Sequence, residues 1–516
     1  MVKRNSSVRK LDRFAVAPWT KESEAWLALD RRLSADHLAR QVDRAVEMLD
    51  LRPLCDSYLG AGKPPLPPKL LLKFVLCELQ NNRPSPAQWT RDAREYEPAR
   101  WLLFGLEPSR SQLYGFRDRI APFLQELNAQ VLQVAVEQQM TSVTRAALDG
   151  TSVAAHASRR GLLNEERLEK RRAVIDQHLI PQKAAPTTTE KVGWLAETEA
   201  GRRAQKGRYQ RAAEVLAERH QANQAKQSSK RKPAEKILVS ATDPEAVLTR
   251  DKLGVFRPLY NVQVLRDLDS PLILSYDIFA QNNDNGVLEP MIERAADNVG
   301  CKPAEVLVDS GYVSIRHLAF CQQAGIQLYG PVQENDYSEQ NGKKTQCNGR
   351  TELPKSAFKW LKAEQTYQCP EGHCLQFSST QRQKRTDHTV LLSIYSCPPE
   401  HCQACPLQAK CTCTPQKGRS VSRMENEELL DELRERMQTD GAKAFYKLRS
   451  QTVELTFAAL KEHRGLRRFH GRGLKRALAE VGLLVLANNL HAVEKNERES
   501  RDRSPQAKPT QTRCAA

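Results

Sequence analysis

The stretch that most limits what this chain can fold into runs from Thr144 to Tyr329, where short β-rich runs alternate with helical periods. Thr144–Ala154 reads as a strand that reaches Asp149-Gly150. Tyr260–Leu265 and Leu272–Phe279, joined by the turn Asp267-Leu-Asp-Ser-Pro271, read as a hairpin. Asn285–Asn298 suits a helix, and Glu305–Val308 is a short buried strand ending at Asp309. Ser314–Gln323 is the next helix and Ile326–Tyr329 the next strand. Such alternation predicts a mixed α/β sheet with helices packed on it.

At 516 residues the chain is too long for one compact domain, so two to four units are expected. Residues 1–142 read as an all-α N-terminal domain. Pro64, Pro65, Pro67 and Pro68 mark the start of a helix over Lys69–Leu79, and Ser85 and Ser109 start two more. Arg110, Arg117 and Arg119 suit a DNA-binding module, though a plain helical bundle with exposed arginines reads equally well. Residues 159–236 are charged and helix-prone, an insertion shaped as a long helical hairpin with a flexible Gln/Ser/Lys stretch near 224–236. A second interruption spans 333–439; the core comprises 143–332 and 440–494, and the polar tail 495–516 is predicted to be disordered.

The formal net charge of +17 favours a nucleic acid or another acidic partner. No apolar run reaches membrane-spanning length, and the N-terminus lacks the apolar core of a signal peptide, so a cytoplasmic protein is expected. Of thirteen cysteines, seven lie between Cys369 and Cys413, which fits a metal site better than scattered disulfides. Cys369, Cys374, Cys402 and Cys405 have structural-zinc spacing, but seven cysteines and His373 and His401 compete as ligands, and a loop of free thiols is the plain alternative. His373, His388 and His401 are expected to be exposed rather than ligating. The chain has no Gly-x4-Gly-Lys-Ser/Thr loop, so ATP use is not indicated.

Tyr446–Lys461 reads as one helix with Val453, Phe457 and Leu460 as its apolar stripe. Glu454 and Lys461, seven residues apart, sit on the edge of that stripe. Arg464, Arg467, Arg468, Arg472, Lys475 and Arg476 follow, and a carboxylate beside so much positive charge suggests that a polyanion is brought to it. Asp149 and Asp309 are expected to end strands, although Asp-Gly is also a common turn signal. Three carboxylates in one crevice suit Mg²⁺ or Mn²⁺, which can serve an in-line displacement at phosphorus.

Leu148-Asp149-Gly-Thr, Val308-Asp309-Ser-Gly-Tyr312 and Tyr446-x2-Arg449…Glu454-x6-Lys461 resemble the three signature blocks of DDE transposases from bacterial insertion sequences. Ser111-Gln-Leu-Tyr-Gly-Phe-Arg117 resembles part of that family's N-terminal helical domain, and Thr242-Asp243-Pro244, Tyr260–Gln263 and Asn283-Asp284 resemble stretches between its first two blocks. The resemblance spans roughly residues 45–155, 238–332 and 365–493. It implies a ribonuclease-H-like core in which Asp149, Asp309 and Glu454 hold the catalytic Mg²⁺ or Mn²⁺. It also implies that Tyr446, Arg449 and Lys461 contact DNA near the cleaved phosphate, and that the protein acts as a dimer on double-stranded element ends and target. Cysteine-rich insertions at this place occur in related transposases. The implied activity is strand cleavage and strand transfer; a nuclease of the same fold, or a decayed DNA-binding protein, is the alternative. One spacing departs from the pattern: four residues separate Arg449 from Glu454, where the family has three.

Overall fold

The computed structural model describes residues 13–58, 63–179, 193–226, 228, 231–251, 254–332, 346–347, 350–351, 353–384 and 389–503. The chain forms two compact units, one of residues 1–224, 228–308 and 447–516, the other of 225–227 and 309–446.

The first unit opens with helices α1 (Glu24–Asp30), α2 (Leu38–Glu47), α3 (Arg52–Asp56), α4 (Pro68–Gln80), α5 (Pro86–Glu95), α6 (Glu97–Leu102), α7 (Arg110–Ile120) and α8 (Leu124–Glu137). Local chemistry sets their starts. Pro68 and Pro86 take first-turn positions, where a missing N–H costs nothing. Ser109 closes a capping box with Gln112: its Oγ accepts from the Gln112 N–H at 3.3 Å, while Gln112 Oε1 accepts from the Ser109 N–H at 2.8 Å. Leu72, Phe74 and Val75 of α4 are fully buried.

The sheet follows. β1 (Arg145–Ala154) pairs antiparallel with β5 (Phe256–Asp267) and parallel with β7 (Glu305–Leu307). The other edge of β5 is shared by β4 (Val247–Arg250) and β6 (Ile273–Phe279), and α11 (Leu288–Val299) leads from β6 to β7. Asp149 therefore lies within β1 rather than at its end. The reason is the partner strand: the ladder with β5 runs on to Ala154 opposite Leu259.

The insertion is a hairpin with its own small core. α9 (Glu165–Gln177) and α10 (Glu199–Gln224) bury Leu168, Ile175, Tyr209, Ala212, Val215 and Leu216 together. Two short strands, β2 (Leu162–Leu163) and β3 (Val239–Ser240), pair and close its base. In the stretch expected to be flexible, Asn223 exchanges hydrogen bonds with the Lys232 backbone at 2.8 and 2.9 Å.

The C-terminal helix, Leu474–Arg503, packs against α2, α4, α8 and β6. Arg44 of α2 meets the buried Glu494 carboxylate at 2.6 Å, and Asn128 of α8 donates to Gly482 O at 3.3 Å. The N-terminal helices thus share a core with the sheet instead of standing apart. The helix also continues through residues expected to be disordered, where Lys495–Glu499 and Arg501–Glu497 pair one turn apart. Residues 504–516 lie outside the described residues.

The second unit carries a helix over Ile315–Gln323 and a five-stranded antiparallel sheet. Its strands are Lys359–Leu361, Thr366–Gln368, Cys374–Lys384, Thr389–Ser396 and Ser420–Met424, in that order. Phe358, Tyr367, Leu375, Tyr395 and Val421 form its core. Helices Glu428–Gln438 and Asp440–Tyr446 complete it.

Two buried carboxyls in the first unit set a pH dependence. Burial, then the neighbouring Asp92, pushes Glu78 up to about 8, and burial pushes Glu480 up to about 7. Both groups stay protonated in the folded chain at pH values where the unfolded chain has released the proton. Stability should therefore fall as pH rises from about 5 to about 8, by a few kcal/mol at most per group. Glu78→Gln, which keeps the shape and cannot ionise, should flatten that fall. Urea midpoints at pH 5.5 and 8 check this; equal slopes for parent and variant would remove Glu78 as the cause.

Candidate active site

β1 is buried on both faces at Ala146, Ala147 and Leu148, then opens at Asp149, whose side chain is 19% exposed. The Asp149 Oδ1 accepts from the next N–H, Gly150, at 2.8 Å. It also meets Arg449 Nη2 at 3.0 Å, while Arg449 Nη1 reaches Glu454 Oε1 at 2.9 Å. One guanidinium, only 11% exposed, thus holds two carboxylates drawn from residues 305 positions apart (454 − 149).

The segment that carries Arg449 and Glu454 is not one helix. A helix ends at Tyr446, Ser450–Glu454 forms a π-helical turn, and a regular helix resumes over Leu455–Glu462. The turn explains the extra residue. On an α-helix, side chains five apart point roughly 140° away from each other. A π turn closes over one more residue and stacks them. The surplus residue is absorbed in the backbone, and the Arg–Glu contact survives. Thr452 helps by donating to Leu448 O at 2.7 Å, a side-chain bond that competes with the regular helical ladder.

Lys461 closes the other side. Its Nζ donates to Thr151 Oγ1 at 2.5 Å. Thr151 follows Asp149 by two residues in β1 and so points to the same face. That period-2 signal was readable in the sequence, but Thr151 was not singled out. On the opposite face, a Cβ at Gly150 would lie 2.1 Å from Gln263 Nε2. Only glycine admits the buried Gln263 there. The Gln263 Nε2 donates to Asn261 Oδ1 at 3.0 Å and to Asp284 Oδ1 at 2.8 Å, an amide network that braces the strand behind Asp149.

Two expected residues belong to the second unit. Asp309 caps a 3-10 turn over Ser310–Tyr312, its Oδ1 accepting from Ser310 N–H at 2.7 Å. Tyr446 ends the helix Asp440–Tyr446. Within the first unit, the β1–β7 ladder ends with Ala147 opposite Leu307.

Among the described residues, no group of three or more His, Cys, Asp or Glu side chains could hold a metal ion. Cys397, Cys402 and Cys411 lie in one small core, with Cys369 packed against it. Cys374 begins a strand, Cys402 and Cys411 are buried, and Cys369 and Cys405 lie half-buried. Cys397, outside the expected set, is pushed up to about 12 by burial and then by Cys402. Cys402 is spoken for on one side, since Arg419 N–H reaches its Sγ at 3.3 Å. His373 and His401 stack at 4.2 Å, and His388 lies outside the described residues. Cys369, Cys402 and Cys405 each lie close enough to Cys397 or Cys411 to raise it, so the thiols are gathered as a soft donor set. For Mg²⁺ or Mn²⁺ the donor chemistry fits, because Asp149 and Glu454 offer hard oxygens that already share one cation.

Two family models match the chain. One, described as Transposase domain (DUF772), covers residues 27–119; the other, described as Transposase DDE domain, covers residues 368–493. Both matches are consistent with a DDE transposase of the insertion-sequence type that carries an N-terminal domain. The second match includes Arg449, Glu454 and Lys461, while Asp149 and Asp309 precede it. No curated protein and no solved structure matches. Among the described residues no helix is long and apolar enough to cross a membrane.

Proposed function

We propose that this transposase binds the double-stranded ends of its own element, cleaves the strands there and joins them to target DNA inside the bacterial cell. The observation that carries the reading is the Asp149–Arg449–Glu454 arrangement, two carboxylates from a strand and a helical turn gathered around one cation, with Lys461 beside them. The antiparallel β5–β1 pair, the parallel β7 and the α11 crossover support a ribonuclease-H-like core over 143–332 and 440–494. In it Asp309 would be the third ligand.

Asp149, Asp309 and Glu454 would hold Mg²⁺ or Mn²⁺, which supplies activation of the attacking water or 3′-hydroxyl and charge relief at the leaving oxygen. The chain's own groups do the positioning. Lys461, fixed by Thr151, is placed to neutralise a non-bridging phosphate oxygen. Arg449 is placed to exchange a carboxylate for a phosphate when DNA arrives. Tyr446 would act beside it. Helices α1–α8 would recognise the element end, and pairing two ends calls for two protein copies.

The test is a labelled duplex carrying the element's end, incubated with protein, Mg²⁺ or Mn²⁺ and a supercoiled target plasmid. Nicking at the end followed by joining to the plasmid is expected. Cleavage without joined product would make the protein a nuclease, and end binding without cleavage would make it a decayed transposase.

A further inference from the structure

We propose that Arg468, Arg472 and Lys475, together with His156 and with Arg208 of the inserted hairpin, form a second phosphate-binding surface for duplex DNA, set about five base pairs along from the cleaved bond. This rests on DNA being the substrate, and it gives the α9–α10 insertion a part in holding it.

The surface is built from three separate pieces of chain. The basic loop is stapled to the far end of β1: Phe469 N–H donates to Ala154 O at 2.9 Å, and Ala154 N–H reaches Arg467 O at 3.4 Å. Phe469 is fully buried edge-on against Tyr260. Four of the loop's N–H groups are held by carboxylates. Those of His470 and Gly471 go to Glu480, at 2.9 and 2.5 Å, that of Gly473 to Asp243 at 3.2 Å, and that of Leu474 to Glu245 at 2.8 Å. Glu480, Asp243 and Glu245 thus hold the loop backbone, and Asp243 is also favoured in its charged form by Arg472.

The cations are left over. Arg467 pairs with Glu462 and Arg476 with Asp118, but among the described residues Arg468, Arg472 and Lys475 have no ion-pair partner, and all three are exposed. Like charges then gather around them. His156, whose Nδ1–H donates to Phe469 O at 3.2 Å, has its protonated form disfavoured by burial and next by Arg472 and Arg468. Burial and then Arg472 disfavour the charge on Arg208, whose Nε is buried without a hydrogen-bond partner among the described residues. Cations held together against their own repulsion are relieved by an anion, and for a chain of this charge a phosphodiester is the natural one.

The spacing comes from β1. Ala154 follows Asp149 by five positions, about 16 Å at ~3.3 Å per strand residue. Successive phosphates of one strand advance about 3.4 Å along the duplex axis. The contacted phosphate should therefore lie about five steps from the scissile one.

The experiment measures binding of the full chain to an end duplex over a salt series, without metal. Arg208→Gln and Arg472→Gln should each lower the slope of log affinity against log salt by about 0.9, the value of one lost phosphate contact. Arg472→Lys should restore it, which a folding defect would not allow. Lys170→Gln, on the same insertion but paired with Glu166, should leave the slope unchanged. A single neutral methylphosphonate about five steps from the cleavage point should weaken the parent and not the Arg208→Gln/Arg472→Gln double variant. Parent-like slopes in both single variants would overturn the proposal. So would equal sensitivity of parent and double variant to the neutral phosphate. Because the readout is affinity, a parent that binds in this way but never joins strands would sink the transposition reading and leave this one standing.

Discussion

Asp149→Ala, Asp309→Ala and Glu454→Ala are each expected to abolish strand cleavage while leaving duplex binding close to that of the parent. Charge relief at a phosphoryl group by bound metal contributes several kcal/mol, and each removed ligand forfeits most of it. That corresponds to a loss on the order of 10³-fold or more. Binding is carried by cationic and polar contacts to the backbone, which these substitutions do not touch. Asp149 and Glu454 offer a second readout. Each is held by Arg449, at 3.0 and 2.9 Å, so removing one frees the guanidinium for the other. Mn²⁺ titrations without DNA should show weakened binding in all three variants. Parent-like cleavage by any one of them would take that residue out of the site.

The π turn at Ser450–Glu454 leads to the second expectation. Deleting the exposed Gln451 should convert it to an ordinary α turn. Arg449 and Glu454 then come to stand four positions apart and still share a face. Most of the cleavage activity should survive. An alanine inserted after Phe457 does something different. It turns Lys461 by about 100° and moves it about 1.5 Å relative to Glu454. Displacements of this size cost about 10²-fold. The measurement is single-turnover cleavage by the two variants side by side. Equal losses in both would mean that the turn is a required shape and not an absorbed residue.

The strands and helices between 144 and 329 were legible because burial imposes period 2 or 3.6 on the chain. Ser85 and Ser109 likewise announced α5 and α7 through their capping positions. What the pattern could not show was anything set by a distant partner. Asp149-Gly150 looks like a turn until Gln263 is seen to need the missing Cβ at Gly150. Tyr446–Lys461 keeps a helical period on both sides of the π turn, so the only trace of the break was one surplus residue. Cysteine spacing announced a thiol-rich segment but could not say that Cys397 and Cys402 would be the pair in contact. The end of the last helix was misjudged for a simpler cause: Lys495–Glu499 and Glu497–Arg501 look like a solvated tail and are equally a helical surface.

The shared core of the N-terminal helices and the helix Leu474–Arg503 has a genetic consequence. α2, α4 and α8 bury their apolar faces on a segment that is translated long after them. These N-terminal helices therefore cannot finish folding until Leu474–Arg503 has been made. A chain cut short ahead of Leu474 by a stop or a frameshift would not release the N-terminal helices as a stable fragment. It leaves α2, α4 and α8 with exposed apolar faces, fit for proteolysis. Such truncation thus removes the N-terminal helices together with the rest of the fold.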